Sequence, residues 1–145
     1  MAKFRSLTLL ALLPLAALTA CNQTPADPAK AAAERMAEIS RPDPQLPTGF
    51  PIYLGDDGAR EFTVKTVPTG GKIATFSIHA KPLDVRKFYE DQAVAAGMTI
   101  SGRMDAGEIV SVEARKEGGN PRTFGATALQ KGEFTNVTLM FDVTA

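Results

Sequence analysis

Ser77 and His79 stand two residues apart in a run that alternates apolar and polar side chains, so both point to one side of an extended segment. A hydroxyl and an imidazole on one face are the raw material of a nucleophile and its base, the pairing a hydrolase needs. The spacing argues against that use. Same-face neighbours along a strand are roughly 7 Å apart, beyond the hydrogen bond that activates a serine. No Gly-x-Ser-x-Gly turn presents Ser77 at a strained corner either. A solvent-facing Ser and His is the simpler reading, and hydrolysis through Ser77/His79 stands as the alternative function.

Other chemistry has fewer residues to work with. The chain holds one histidine and one cysteine, whereas a zinc site draws three or four such ligands together, so neither metal nor cofactor is expected. Asp56-Asp57-Gly58 offers oxygens for a hard cation but lacks the longer acidic series of a calcium loop, and it reads as a polar turn. Glu90 and Asp91 fall on the polar side of a helical pattern, and Glu113 and Glu117 on a strand end and loop. None has the apolar setting that would separate two carboxyl pKa values for acid and base roles. Gly118-Gly119 opens no helix and so makes no phosphate cradle.

The cysteine has a clearer assignment. Lys3 and Arg5 precede an apolar stretch from Leu7 to Leu18, interrupted by Pro14 and followed by small residues, which is the layout of an export signal. About a dozen apolar residues fall short of the roughly 20 that cross a bilayer. Leu18-Thr19-Ala20-Cys21 resembles the lipobox of bacterial lipoproteins. That resemblance implies diacylglycerol attachment at the Cys21 thiol, cleavage just before it, and Cys21 as the first mature residue. Residues 1–20 are then a lipoprotein signal peptide, and the membrane is the first partner, reached through lipid on Cys21. Several acyl chains on one residue anchor durably, since each buried methylene contributes about 0.8 kcal/mol. In such proteins Asp after the cysteine typically marks inner-membrane retention. Asn22 here ranks the periplasmic face of the outer membrane above the inner membrane.

Charge excludes another class of partner. Acids and bases balance at 16 each over 145 residues, and without Lys3 and Arg5 the mature chain carries 14 bases against 16 acids. Nothing draws it to nucleic acid electrostatically.

These groups must be positioned by about a hundred residues. Residues 21–45 are rich in Ala and Pro, with a central Lys30-Ala-Ala-Ala-Glu-Arg-Met-Ala-Glu that makes at most a short helix, marginal alone. They read as a lipid-anchored tether. From Leu46 the pattern becomes twofold, so residues 46–145 form a single domain. Phe62, Val64 and Thr66 alternate with polar neighbours. After Pro68-Thr69-Gly70-Gly71, Ala74, Phe76 and Ile78 do the same, which predicts a hairpin. Pro82 to Ala96 is the one convincing helix: proline at its first position, Val85, Phe88, Tyr89, Gln92 and Ala93 on one face, and Gly97 as its stop. Further alternating runs follow. Met98 to Met104 and Glu108 to Lys116 flank a loop at Asp105-Ala106-Gly107; then come Phe124 to Ala128 and a last run with Val137, Leu139, Phe141 and Val143 on one face. The expected fold class is α+β, a two-layer domain with one main helix packed on a mostly antiparallel sheet of four to six strands.

Phe50-Pro51-Ile52-Tyr53-Leu54-Gly55, Phe88-Tyr89 and Gly97-Met98 resemble a pattern found in many small bacterial lipoproteins, "FP-x-YPGA", then "FY", then "GW". Leu54 stands where that pattern has proline and Met98 where it has an aromatic. The resemblance implies architecture and an envelope location and brings no catalytic residues. The expected function is a lipid-anchored cell-envelope protein, a non-enzymatic binding or accessory module whose partner is an envelope protein or a cell-wall component.

Overall fold

The computed structural model describes residues 28–142. Cys21, with Leu18, Thr19 and Ala20 before it, lies outside the described residues, as does Val143. The elements run α1 (Pro28–Ile39), β1 (Ser40–Arg41), β2 (Ile52–Tyr53), β3 (Arg60–Thr66), β4 (Lys72–Ile78), α2 (Pro82–Ala95), β5 (Thr99–Ala106), β6 (Ile109–Arg115), β7 (Thr123–Lys131) and β8 (Phe134–Asp142). β3 to β8 form one antiparallel sheet in the order β3-β4-β8-β7-β6-β5, and β1 pairs with β2. The fold is α+β.

Two hairpin-rich segments build the sheet, and α2 links them. β3 and β4 pair first. α2 then crosses the sheet to its far edge, and a four-stranded meander returns until β8 lies beside β4. Pro82 begins α2 without forfeiting a helical bond, and Asp84 sits in its first turn, where a negative charge suits the dipole. At the other end Gly97 takes φ 74°, and the Met98 N–H donates to the Ala93 carbonyl, so the chain leaves the helix directly into β5. The β5–β6 turn is tighter than the run 105–107 predicts, because Asp105 and Ala106 still pair with Val110 and Ile109, leaving Gly107-Glu108 as the loop.

Alternation sorts the sheet into an inner and an open face. Ala74, Phe76, Val110, Val112, Ala126, Ala128, Val137 and Leu139 are buried on the inner face. α2 covers only the β5–β7 half of it, through Val85, Phe88, Tyr89 and Ala93. The other half is roofed by the segment between β1 and β3. Phe50 lies over the middle of the sheet, its ring 4.4 Å from that of Phe124 on β7 and 5.3 Å from that of Phe141 on β8. The Phe50 to Tyr53 stretch thus covers the centre.

Tyr89 joins the two covers. Its ring is fully buried on α2, and its hydroxyl donates to the Pro51 carbonyl at 3.1 Å while accepting the Tyr53 N–H at 3.1 Å. Packing on the helix continues to Tyr53, whose ring lies 4.7 Å from Phe88.

Ordered structure reaches upstream of Leu46. Ser40 is buried and pairs with Tyr53, and the Leu54 N–H donates to the Ile39 carbonyl at 2.8 Å. α1 is thereby joined to the domain at its C-terminal end, where Gln92 Nε2 also meets Met36 Sδ at 3.6 Å. Tertiary pairing lends this helix the support that its length lacks alone.

These contacts set three expected outcomes. Phe50→Ala removes the central ring and should destabilise by about 3–5 kcal/mol in chemical denaturation, whereas Leu83→Ala, on the exposed side of α2, should stay within about 0.5 kcal/mol. Tyr89→Phe leaves the Tyr53 N–H and Pro51 carbonyl without their partner and should cost about 1–3 kcal/mol. Burial holds the Tyr89 phenol well above its ordinary value, so it stays protonated in the folded chain. The stability this contributes is complete below the unfolded tyrosine value of about 10 and is lost as pH rises beyond it. Phenolate absorbance should therefore show Tyr89 ionising only together with alkaline unfolding. A Tyr89 signal in native protein near pH 10 would contradict the buried hydroxyl.

Candidate functional site

Ser77 and His79 do not come together. Ser77, half-buried on β4, donates its hydroxyl to Asn136 Oδ1 on β8 at 2.9 Å. His79 lies one residue past the end of β4, where the chain bends. Its ring rests against Phe134 with centroids 5.6 Å apart. The two residues open onto different depressions. Ser77 lines one of about 380 Å3 with Arg60, Glu61, Lys131, Phe134 and Asn136. His79 lines one of about 310 Å3 with Tyr53, Asp56, Lys81, Asp84 and Glu133 among its walls. Burial, with Asp84 and Asp56 nearby, raises the Tyr53 phenol above its ordinary value and keeps it a neutral wall of the second depression.

The His79 backbone is held more firmly than its ring. Its carbonyl accepts the Asp56 N–H at 3.2 Å, and Gly55, at φ 63°, passes so close that a Cβ there would lie 2.8 Å from the His79 oxygen. Glycine is required at that crossing by space as well as by dihedral.

Two of the candidate acids, Asp57 and Glu90, are engaged in structure. Asp57 Oδ2 accepts from Arg60 at 2.6 Å, while Asp56 bonds the His79 carbonyl through its backbone N–H and lines the His79 depression. Arg60 in turn stands 4.8 Å over the Phe134 ring. Glu90 accepts both Arg103 Nε, at 3.0 Å, and Arg103 Nη2, and this pairing holds its carboxyl below the ordinary range. Among the described residues no three His, Cys, Asp or Glu side chains gather in a way that would hold a metal ion.

Two larger surfaces remain. Between the end of α1 and the proline-rich run from Pro42 to Pro51 lies a mainly apolar groove of about 1010 Å3, walled by Met36, Leu46, Phe50 and Leu54. The second surface is the open face of the sheet. Strand register sets one row across it from Thr63 through Thr75, Thr138, Thr127 and Ser111 to Met104. Thr63 Oγ1 and Thr75 Oγ1 are 2.7 Å apart, so hydroxyls on neighbouring strands satisfy one another. A parallel row runs Lys65, Ile73, Met140, Gly125, Glu113, Gly102. Met104, Leu129 and Met140 stand exposed among these short side chains. Alternation in the sequence already separates this polar face from the core. The alignment of its hydroxyls into one row depends on strand order and register, which alternation does not carry.

With its hydroxyl spent on Asn136 and no base beside it, Ser77 should react with a fluorophosphonate probe no faster than an ordinary surface serine. Labelling above that background, abolished by Ser77→Ala, would reinstate it as a nucleophile. No protein-family model matches the chain, and no curated protein matches it at a significant level.

Proposed function

We propose that this protein is a lipid-anchored module of the bacterial cell envelope, which acts by binding or as an accessory subunit. In this reading residues 1–20 direct export, Cys21 carries the lipid, residues 21–45 connect it to the domain, and residues 46–145 present the working surface. The observation that carries it is the order basic residues, apolar stretch, Leu18-Thr19-Ala20, then the chain's one cysteine. A free thiol in an oxidising compartment has no disulfide partner within this chain, and acylation gives it a use. Among the described residues no helix is long and apolar enough to cross a membrane.

Asn22 favours the periplasmic face of the outer membrane over the inner membrane. The partner is an envelope protein or a cell-wall component. Support for binding comes from the open sheet face, where exposed Met104, Leu129 and Met140 lie among hydroxyls.

The decisive experiment concerns Cys21. In cells fed an alkyne fatty acid, the wild-type protein should take up label and partition into the detergent phase, and Cys21→Ala should do neither. Label and detergent partitioning retained by Cys21→Ala would overturn the anchor.

A further inference from the structure

We propose that the open face of the six-stranded sheet is a self-association surface, on which a second copy of this chain packs sheet against sheet. This names the partner for the binding surface of the preceding reading but stands independently of the lipid. Three properties of the face point to a copy of itself.

The first is size and shape. Strands of seven to nine residues, side by side, give a face of roughly 600–800 Å2, close to the ~800 Å2 each partner contributes to a stable interface. Threonine, serine and glycine keep most of it low. α2 and the Phe50 segment lie on the opposite face, so among the described residues nothing roofs this one.

The second is apolar content beside the centre of the face. Exposed Met140 lies across Gly125, its Cε 3.4 Å from where a Cβ there would stand, and with half-buried Ile73 it borders a depression of about 400 Å3. A two-fold axis parallel to the strands, placed between β7 and β8, turns each register row end for end. It sets Thr138 over the partner's Thr127 and brings the two Met140 side chains, each lying across its own Gly125, against one another. Apolar side chain meets apolar side chain, and hydroxyl meets hydroxyl.

The third is charge. Lys65 on edge strand β3 and Glu113 on β6 occupy the same row on opposite sides of that axis, and among the described residues neither has an ion-pair partner. Rotation places Lys65 over the partner's Gly102, one strand from the partner's Glu113. That separation, with the roughly 30° offset of aligned sheets, is within reach of a lysine. Each dimer gains the pair twice, because a two-fold interface uses every contact in both directions.

The test uses full-length protein purified from membranes in detergent, with mass measured by light scattering and proximity by amine crosslinking. Wild type should be a dimer at micromolar concentration. Lys65→Glu and Glu113→Lys should each weaken it by at least about tenfold, since like charges then face each other twice, and the double reversal should recover to within about threefold of wild type. Thr138→Arg, a charge beside the axis, should give monomers with an unchanged circular dichroism spectrum. If Thr138→Arg misfolds, the exposed charge reversals still decide. A monomeric wild type, a dimer indifferent to these changes, or a double reversal as weak as either single change would overturn the proposal. So would a crosslink to a different envelope protein in place of the self-crosslink. A labelled, anchored monomer would refute self-association alone, and an unlabelled dimer would refute the anchor alone.

Discussion

One phenol hydroxyl ties together the two covers of this fold's core. Half of the inner sheet face lies beyond the reach of α2, and the segment that roofs it, from Leu46 to Leu54, has little regular structure to hold it down. Tyr89 fastens it to the helix, as the Leu54–Ile39 bond fastens it to α1. By donating to Pro51 and accepting from Tyr53, it satisfies two backbone groups at the point where the segment crosses the helix. Phe50 is thereby kept over Phe124 and Phe141. Buried backbone groups that lost this partner would each face a desolvation penalty, and the segment would have reason to lift toward water. The β1–β2 pairing and the join to α1 lie on that same segment, so they inherit its stability.

The sheet divides labour between its faces. Inside, aromatic and branched residues pack under two unlike covers. Outside, the same strands carry threonine, serine, asparagine and a few exposed apolar groups. The polar groups that might suggest chemistry are largely spent on this architecture: Ser77 on Asn136, Asp57 on Arg60, Glu90 on Arg103.

The parts legible in the sequence are those set by local periodicity. Pro82, the apolar spacing through Ala93 and Gly97 mark α2 to within a residue, and the twofold alternation of 74–78, 110–114 and 137–141 marks three strands and their buried sides. The α+β class follows from these. Strand order was not legible, because every inner strand presents the same alternation and nothing local tells β4 that its neighbour is β8. The place of Phe50 over the centre was not legible for a related reason: a lone aromatic in a proline-rich run has no period to say what it covers. α1 read as marginal because its support comes from Ser40, Leu54 and Gln92, remote contacts that helix propensity does not encode. Ser77 and His79 serve different neighbours, Asn136 and Phe134, because those partners come from β8, a strand whose place beside β4 local periodicity does not encode. Cys21 and its neighbours are the reverse case, a local motif read wholly from sequence and lying outside the described residues.

The join at the end of α1 carries order beyond the sheet. Twelve residues of flexible coil could leave the domain in any direction. Wound into a helix, the same residues make a rod about 18 Å long, fastened at its C-terminal end by Ser40 and Leu54. A rod fastened in this way fixes direction as well as distance, so Pro28 stands at a set bearing from the sheet.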